Sequence, residues 1–255
     1  MSAKRIRFIL AIIMLFVPAL ILARKDGLVR VPGGMFIPFL DDEQPTRIAA
    51  FQIQAYPVTN QDFYRFVQAN PQWGPSRSAD LFADEYYLKH WKTPSGSMAQ
   101  VKGDRKPVTN VSYFAARAYC QWVGMRLPET NEWEYSAAFA STEAPNETRS
   151  EFSRRILSWY GKTSAELKPV GQGYQNVLGI YDQHGLIWEW TEDFNTATVG
   201  GDSRDTKESA LFCGSAATAA ADPSMYADFM RYAFRSGLQA RSTSRNLGFR
   251  CASDL

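Results

Sequence analysis

Cysteine and histidine are scarce in this chain. Its 255 residues hold three cysteines, Cys120, Cys213 and Cys251, two histidines, His90 and His184, and no CxxC pair. That supply is too thin and too scattered for a structural zinc site. A surplus of one charge is lacking too. The net charge is +2, and Lys4, Arg5 and Arg7 all fall in the first seven positions. Without residues 1–23 the balance is −1. A body so close to neutral has no electrostatic case for nucleic acid as its main partner. There is no fixed-period repeat, no low-complexity tract and no Pro-, Gly- or Ser-rich linker, so residues 28–255 read as one domain. An apolar run of membrane-spanning length is also missing. Phe8 to Ala23 gives 16 residues, short of the roughly 20 that a spanning helix uses.

What is present begins with that same segment. A basic start, an apolar run and then Arg24, Lys25 and Asp26 have the order of a secretory signal. Ala23 suits the last position before cleavage, whereas Ile21 is not the small residue expected two positions earlier. Residues 1–23 are therefore read either as a signal peptide or as an uncleaved N-terminal anchor. Both readings export the protein, and membrane contact is expected only through the anchor. Three cysteines in an exported chain suggest one disulfide and one leftover thiol; spacing alone does not say which pair closes.

The full chain is 45% apolar and 14% aromatic, with seven Trp and twelve Tyr. Such a composition buries a core. Short strands are expected at Leu28–Val31 and Met35–Phe39, around a Pro32-Gly33-Gly34 turn, and at Ala49–Ile53. Helices are expected from Thr59, from Ser112 and from near Thr130. Thr59 is followed by Asp62 at the positive helix start, and Phe63, Phe66 and Val67 share a face. Ala115, Ala118, Tyr119 and Trp122 form the second stripe, which Gly124 closes. Ser141–Arg149 and Asn195–Ser209 are polar and read as surface loops. With so little regular structure, the aromatic residues must anchor loops to one another.

Five segments extend the reading. PVTNVSYFAARAYCQWVGMRLPETNEWEYSAA, Pro107 to Ala138, resembles the signature of the formylglycine-generating enzymes, also called sulfatase-modifying factors. VPGGMF from Val31, YPVTNQDFYRFV from Tyr56, GIYDQHGLIWEWTEDF from Gly179 and RYAFRSGLQARSTSRNLGFRCA from Arg231 resemble four more motifs of that family, in family order. The resemblance implies an α+β class: a C-type-lectin-like formylglycine-generating-enzyme fold with little regular secondary structure. It also implies a disulfide between Cys120 and Cys251. In an extended segment Trp188 and Trp190 face one side and Glu189 the other. Arg126, Arg235 and Arg250 are candidates to pair with Glu134 or Glu189.

The resemblance breaks at the chemistry. Members of the family oxidise a sulfatase cysteine to an aldehyde with oxygen and a copper(I) ion held by two cysteines. Soft thiolates select that metal. The corresponding stretch, Cys213 to Arg235, has no cysteine after Cys213; Asp222, Ala227 and their neighbours offer no thiolate. Copper therefore lacks its thiol pair, standard formylglycine-generating activity is not expected, and no cofactor is assigned. Cys213 replaces the first glycine of a GGS motif. It reads as a small buried residue or, functionally, as a nucleophile, redox handle or single metal ligand. Leu186 stands where the family has asparagine, and leucine supplies no side-chain oxygen for calcium. His90 and His184 read as ordinary surface or core residues.

Two segments, Leu81 to Trp91 and Ala210 to Ser236, resemble accessory proteins encoded beside copper nitrite reductase in denitrifiers. The resulting expectation is a periplasmic accessory or maturation factor that binds an exported protein or peptide, a metalloenzyme among the candidates, in the family's substrate groove. Ser215, Trp188, Arg235 and Cys213 are the expected groove residues. Two alternatives stand beside it: an oxidase using Cys213 or a bound metal, and a regulatory or ligand-binding module.

Overall fold

A computed structural model describes residues 27–39, 44–75, 81–91, 101–160, 166–195 and 226–255. The leader, Cys213 and Ser215 lie outside them. Among the described residues no helix is long and apolar enough to cross a membrane.

The strands are short and pair mostly antiparallel. Strand β1, Leu28–Val31, lies against β4, Phe51–Gln54, and β4 also takes β7, Ala252–Asp254, on its other edge. Val29 faces Ile53, and Ile53 faces Ala252. Phe51 and Ile53 alternate inward from β4, as period-two patterning requires. A separate hairpin-like pair joins β2, Gly34–Phe36, to β3, Thr46–Ile48. Two of these strands differ from expectation. β2 stops at Phe36, two residues before Pro38, which has no N–H for a ladder. β4 starts at Phe51 rather than Ala49.

The three expected helices form with their caps. Helix α1 spans Asn60–Ala69, and the Thr59 hydroxyl accepts from the Asp62 N–H at 3.2 Å. Helix α2 spans Tyr113–Trp122, capped by Ser112 Oγ accepting from Ala115 N–H at 3.3 Å. Its buried stripe is Ala115, Ala116, Tyr119 and Cys120; Ala118 and Trp122 pack at its partly buried margin. Gly124 ends the turn at φ +74°, a left-handed conformation that glycine adopts freely. Helix α3, Thr130–Ala137, opens with Glu129 N–H donating to the Glu132 carboxylate at 2.9 Å.

Two further helices were not expected. Helix α4, Arg149–Tyr160, begins where the surface loop was placed, and Ser141 at the start of that stretch is buried. Helix α5 runs from Tyr226 to Ser236. Near it the short parallel pair β5, Trp188–Glu189, and β6, Leu247–Gly248, crosses the interior.

Aromatic rings form the main core. Phe63 meets Phe66, Tyr119 and Phe249 at centroid distances of 5.2, 5.8 and 6.0 Å. Trp91, Leu127 and Trp190 close around them. A smaller cluster, Val31, Ile48, Phe51, Ile53, Ile180 and Ala252, packs under the three-stranded sheet. The Cys120–Cys251 disulfide, implied by the resemblance, is present, closes a separation of 131 residues and is fully buried. In the chain-entropy account a loop of that length stabilises the fold by about 4–5 kcal/mol. The outcome is the expected α+β arrangement with little regular secondary structure.

Candidate functional site

The WEW segment builds outward from buried charge. Glu189 points into the core, where Arg250 Nε and Nη2 donate to its two oxygens at 2.7 and 2.8 Å. The Trp133 indole adds a third bond at 2.7 Å. Arg250 also donates to the carbonyls of Gln54, Ala55 and Tyr181. This guanidinium thus staples β4, β5 and the 181 turn together. Trp190 donates to Val111 O at 2.9 Å.

Trp188 is the partly exposed member of the segment. Its ring stacks on Phe234 of α5 at 4.4 Å and meets Tyr160 of α4 at 4.8 Å. Its N–H donates to Asn246 O at 2.7 Å, which ties the strand to the loop before β6. Trp188 borders a cleft of about 600 Å³, within the range of ordinary ligand sites. One wall is apolar: Trp159, Tyr160, Leu186, Ile187 and Trp188. The polar part of the lining includes Asn60, His90, Asp104, Lys106 and Arg245, and Arg245 adjoins Trp188 through the Trp188–Asn246 backbone bond.

The polar wall is ordered by its own bonds. Asn60 Oδ1 accepts from the Trp91 indole at 2.9 Å, and its amide nitrogen donates to Asp104 at 2.8 Å. Lys106 N–H donates to Asp104 at 2.9 Å, and its ammonium pairs with Glu166 at 2.5 Å. Asp84 fastens the rim: it accepts from the Thr243 N–H at 2.8 Å and from the Thr243 hydroxyl at 2.5 Å.

Of the expected groove residues, Trp188 lines this cleft, while Cys213 and Ser215 fall outside the described residues. Arg235 does not line it. Its side chain is buried, pairs with Glu134 at 2.5 Å and lies 4.9 Å over the Trp133 ring. Arg231, one turn earlier, bonds the same carboxylate at 2.8 and 3.0 Å. Burial alone would raise the Glu134 carboxyl; the two guanidinium groups overcome it and hold its pKa at about 2. Arg126 pairs with Glu132 and Asp254 instead of Glu134 or Glu189. His184 is a core residue. It is ringed by Trp133, Phe152, Trp159 and Tyr174, with Nε2 3.0 Å from Ala137 O. Desolvation, helped by Arg231, lowers its pKa to about 3.

Asn60, His90, Asp104 and Arg245 were not singled out in the sequence as groove residues. They come from separate loops and helix starts, so no periodicity links them. Leu186 presents hydrocarbon to the cleft wall. A second cleft, of about 450 Å³, borders Ala227, Arg231 and Tyr232 of α5 together with Phe36, Phe39 and Phe152.

The donor set does not fit a copper(I) bis-thiolate centre. The chain has three cysteines, and the disulfide takes Cys120 and Cys251. One thiol, Cys213, remains per chain. Copper(I) sites of the kind the resemblance implies need two soft sulfur ligands.

The sulfatase-modifying factor enzyme 1-like domain matches residues 19–255. The mouse protein named inactive C-alpha-formylglycine-generating enzyme 2 is 30% identical over 276 residues, 91% of this chain and 87% of its own length. Mouse formylglycine-generating enzyme is 26% identical, covering 89% of this chain and 75% of its own. The structure of PvdO from Pseudomonas aeruginosa aligns with 89% of this chain and 94% of its own, at 19% identity and a TM-score of 0.47. The chain belongs to the sulfatase-modifying factor enzyme 1-like family.

Proposed function

We propose that this protein is an exported accessory factor that binds a protein partner through the Trp188 cleft and does not generate formylglycine. The thiol count carries the reading. A family scaffold with a closed Cys120–Cys251 bridge and one remaining cysteine cannot assemble a two-thiolate copper site within one chain. The cleft beside Trp188 combines an aromatic lining with ordered polar groups. The apolar wall would desolvate partner side chains, and the polar wall would bond partner backbone or polar groups. Similarity to a relative named as inactive is in keeping with a scaffold kept for binding. The basic and apolar leader favours export. The likeness of residues 81–91 and 210–236 to nitrite-reductase-associated proteins makes copper nitrite reductase the first partner to test.

The test has two arms. Incubation with a CxPxR peptide and oxygen is expected to give no aldehyde; turnover would overturn the reading. Titration with purified copper nitrite reductase, apo and copper-loaded, is expected to show binding that a Leu186→Asp substitution in the cleft wall removes. Absence of binding to both forms would remove that enzyme as the partner. The oxidase alternative rests on Cys213. Stoichiometric metal lost in Cys213→Ser, with oxygen consumption, would replace the accessory reading with it.

A further inference from the structure

The charges lining the Trp188 cleft are not equivalent. The Lys106 ammonium is taken by Glu166 at 2.5 Å. The Asp104 carboxylate accepts from the Asn60 amide and the Lys106 N–H. Arg245 is exposed on the cleft wall, and among the described residues no carboxylate lies within ion-pair distance of it. Its backbone, by contrast, is held on both sides. Asn110 N–H donates to Ser244 O at 2.9 Å, and Trp188 N–H donates to Asn246 O at 2.7 Å. Thr243, one residue further back, is fastened to Asp84. A cation is thus carried on a tethered tripeptide beside the aromatic wall of Trp188, Tyr160 and Trp159.

We infer that Arg245 is the specificity residue of the cleft and that the partner segment is a peptide presenting an acidic side chain next to an aromatic or aliphatic one. This inference rests on the partner-binding reading above and names the chemistry of the partner. An aromatic or aliphatic side chain fits the wall of Trp159, Tyr160, Leu186, Ile187 and Trp188, where it leaves water. The neighbouring carboxylate meets Arg245, whose planar guanidinium accommodates carboxylate in a two-bond geometry. A fixed backbone lowers the ordering cost of that contact. A basic side chain at the same place meets a like charge, and such contacts set specificity through repulsion.

The test is selection from a random octapeptide library by the purified protein, followed by fluorescence anisotropy with the enriched peptides. Wild type is expected to enrich an acidic residue beside an apolar one. Arg245→Gln should bind those peptides about fivefold more weakly, the scale of an exposed ion pair, with a flatter dependence on salt. Arg245→Glu should switch enrichment to a basic residue at the same position. Enrichment of the same sequences by wild type and Arg245→Glu would overturn the inference and leave the cleft-binding reading in place. Failure of wild type to enrich any peptide beyond a folded Leu186→Asp variant would overturn both.

Discussion

Arg250 and Glu189 form a two-bond ion pair at 2.7 and 2.8 Å in which neither side chain has any exposure to solvent. Removing one member leaves the other as a buried, uncompensated charge. Arg250→Met is expected to lower unfolding stability by about 3–5 kcal/mol, read by urea denaturation. Pairing it with Glu189→Leu should cost less than the two single changes added together.

Acid should destabilise the protein earlier than carboxylate titration alone implies. His184 titrates near 6.5 when unfolded and near 3 in the core, so the unfolded chain takes up the proton and the folded one does not. Stability therefore falls as pH drops below about 6.5, and the penalty grows until about pH 3. Between pH 7 and pH 5 this group should cost about 2 kcal/mol. Denaturation curves of His184→Phe should show that slope removed, whatever the variant's stability at pH 7.

Thiol titration should find one reactive sulfhydryl per denatured, unreduced chain and three after reduction, because Cys120 and Cys251 are joined. Cys213→Ser should lower the first count to zero. Cys120→Ser should lose about 4–5 kcal/mol and expose a second thiol.

Gly248 lies where no side chain fits. A Cβ there would sit 2.3 Å from Val108 O and 2.8 Å from Ile187 Cδ1. The first obstacle is backbone, so Gly248→Ala must push β6 away from its neighbours at a cost of about 1–3 kcal/mol. Since β6 pairs with β5, tryptophan emission should report a moved Trp188 together with a lower unfolding midpoint.

Much of this molecule was legible because its local signals agree with its packing. Thr59 and Ser112 announced α1 and α2 through cap chemistry, and both hydroxyls accept the expected N–H groups. Helix α4 carries similar cap chemistry, with Thr148 and Glu151 bonding reciprocally across its first turn. Its apolar residues, Phe152, Ile156, Leu157, Trp159 and Tyr160, follow a polar stretch and are interrupted by Arg154 and Arg155. Helix α5 hid for another reason. Its buried face includes Arg231 and Arg235, so hydrophobic periodicity undercounts it. For the same reason Arg235 read as a groove residue, although Glu134 draws it inward. The cleft's polar wall was hardest to foresee, because Asn60, Asp104 and Arg245 meet only through tertiary folding.

Glu134 serves two cations at once, Arg231 and Arg235, with all three side chains buried. This arrangement constrains the order in which the sequence can drift. Replacement of Glu134 first takes from Arg235 its ion-pair partner and leaves Arg231 only Asp228, whereas loss of either arginine leaves the carboxylate one partner. Viable histories therefore pass through an arginine before the glutamate, and the three positions are expected to vary as a set among descendants of this chain.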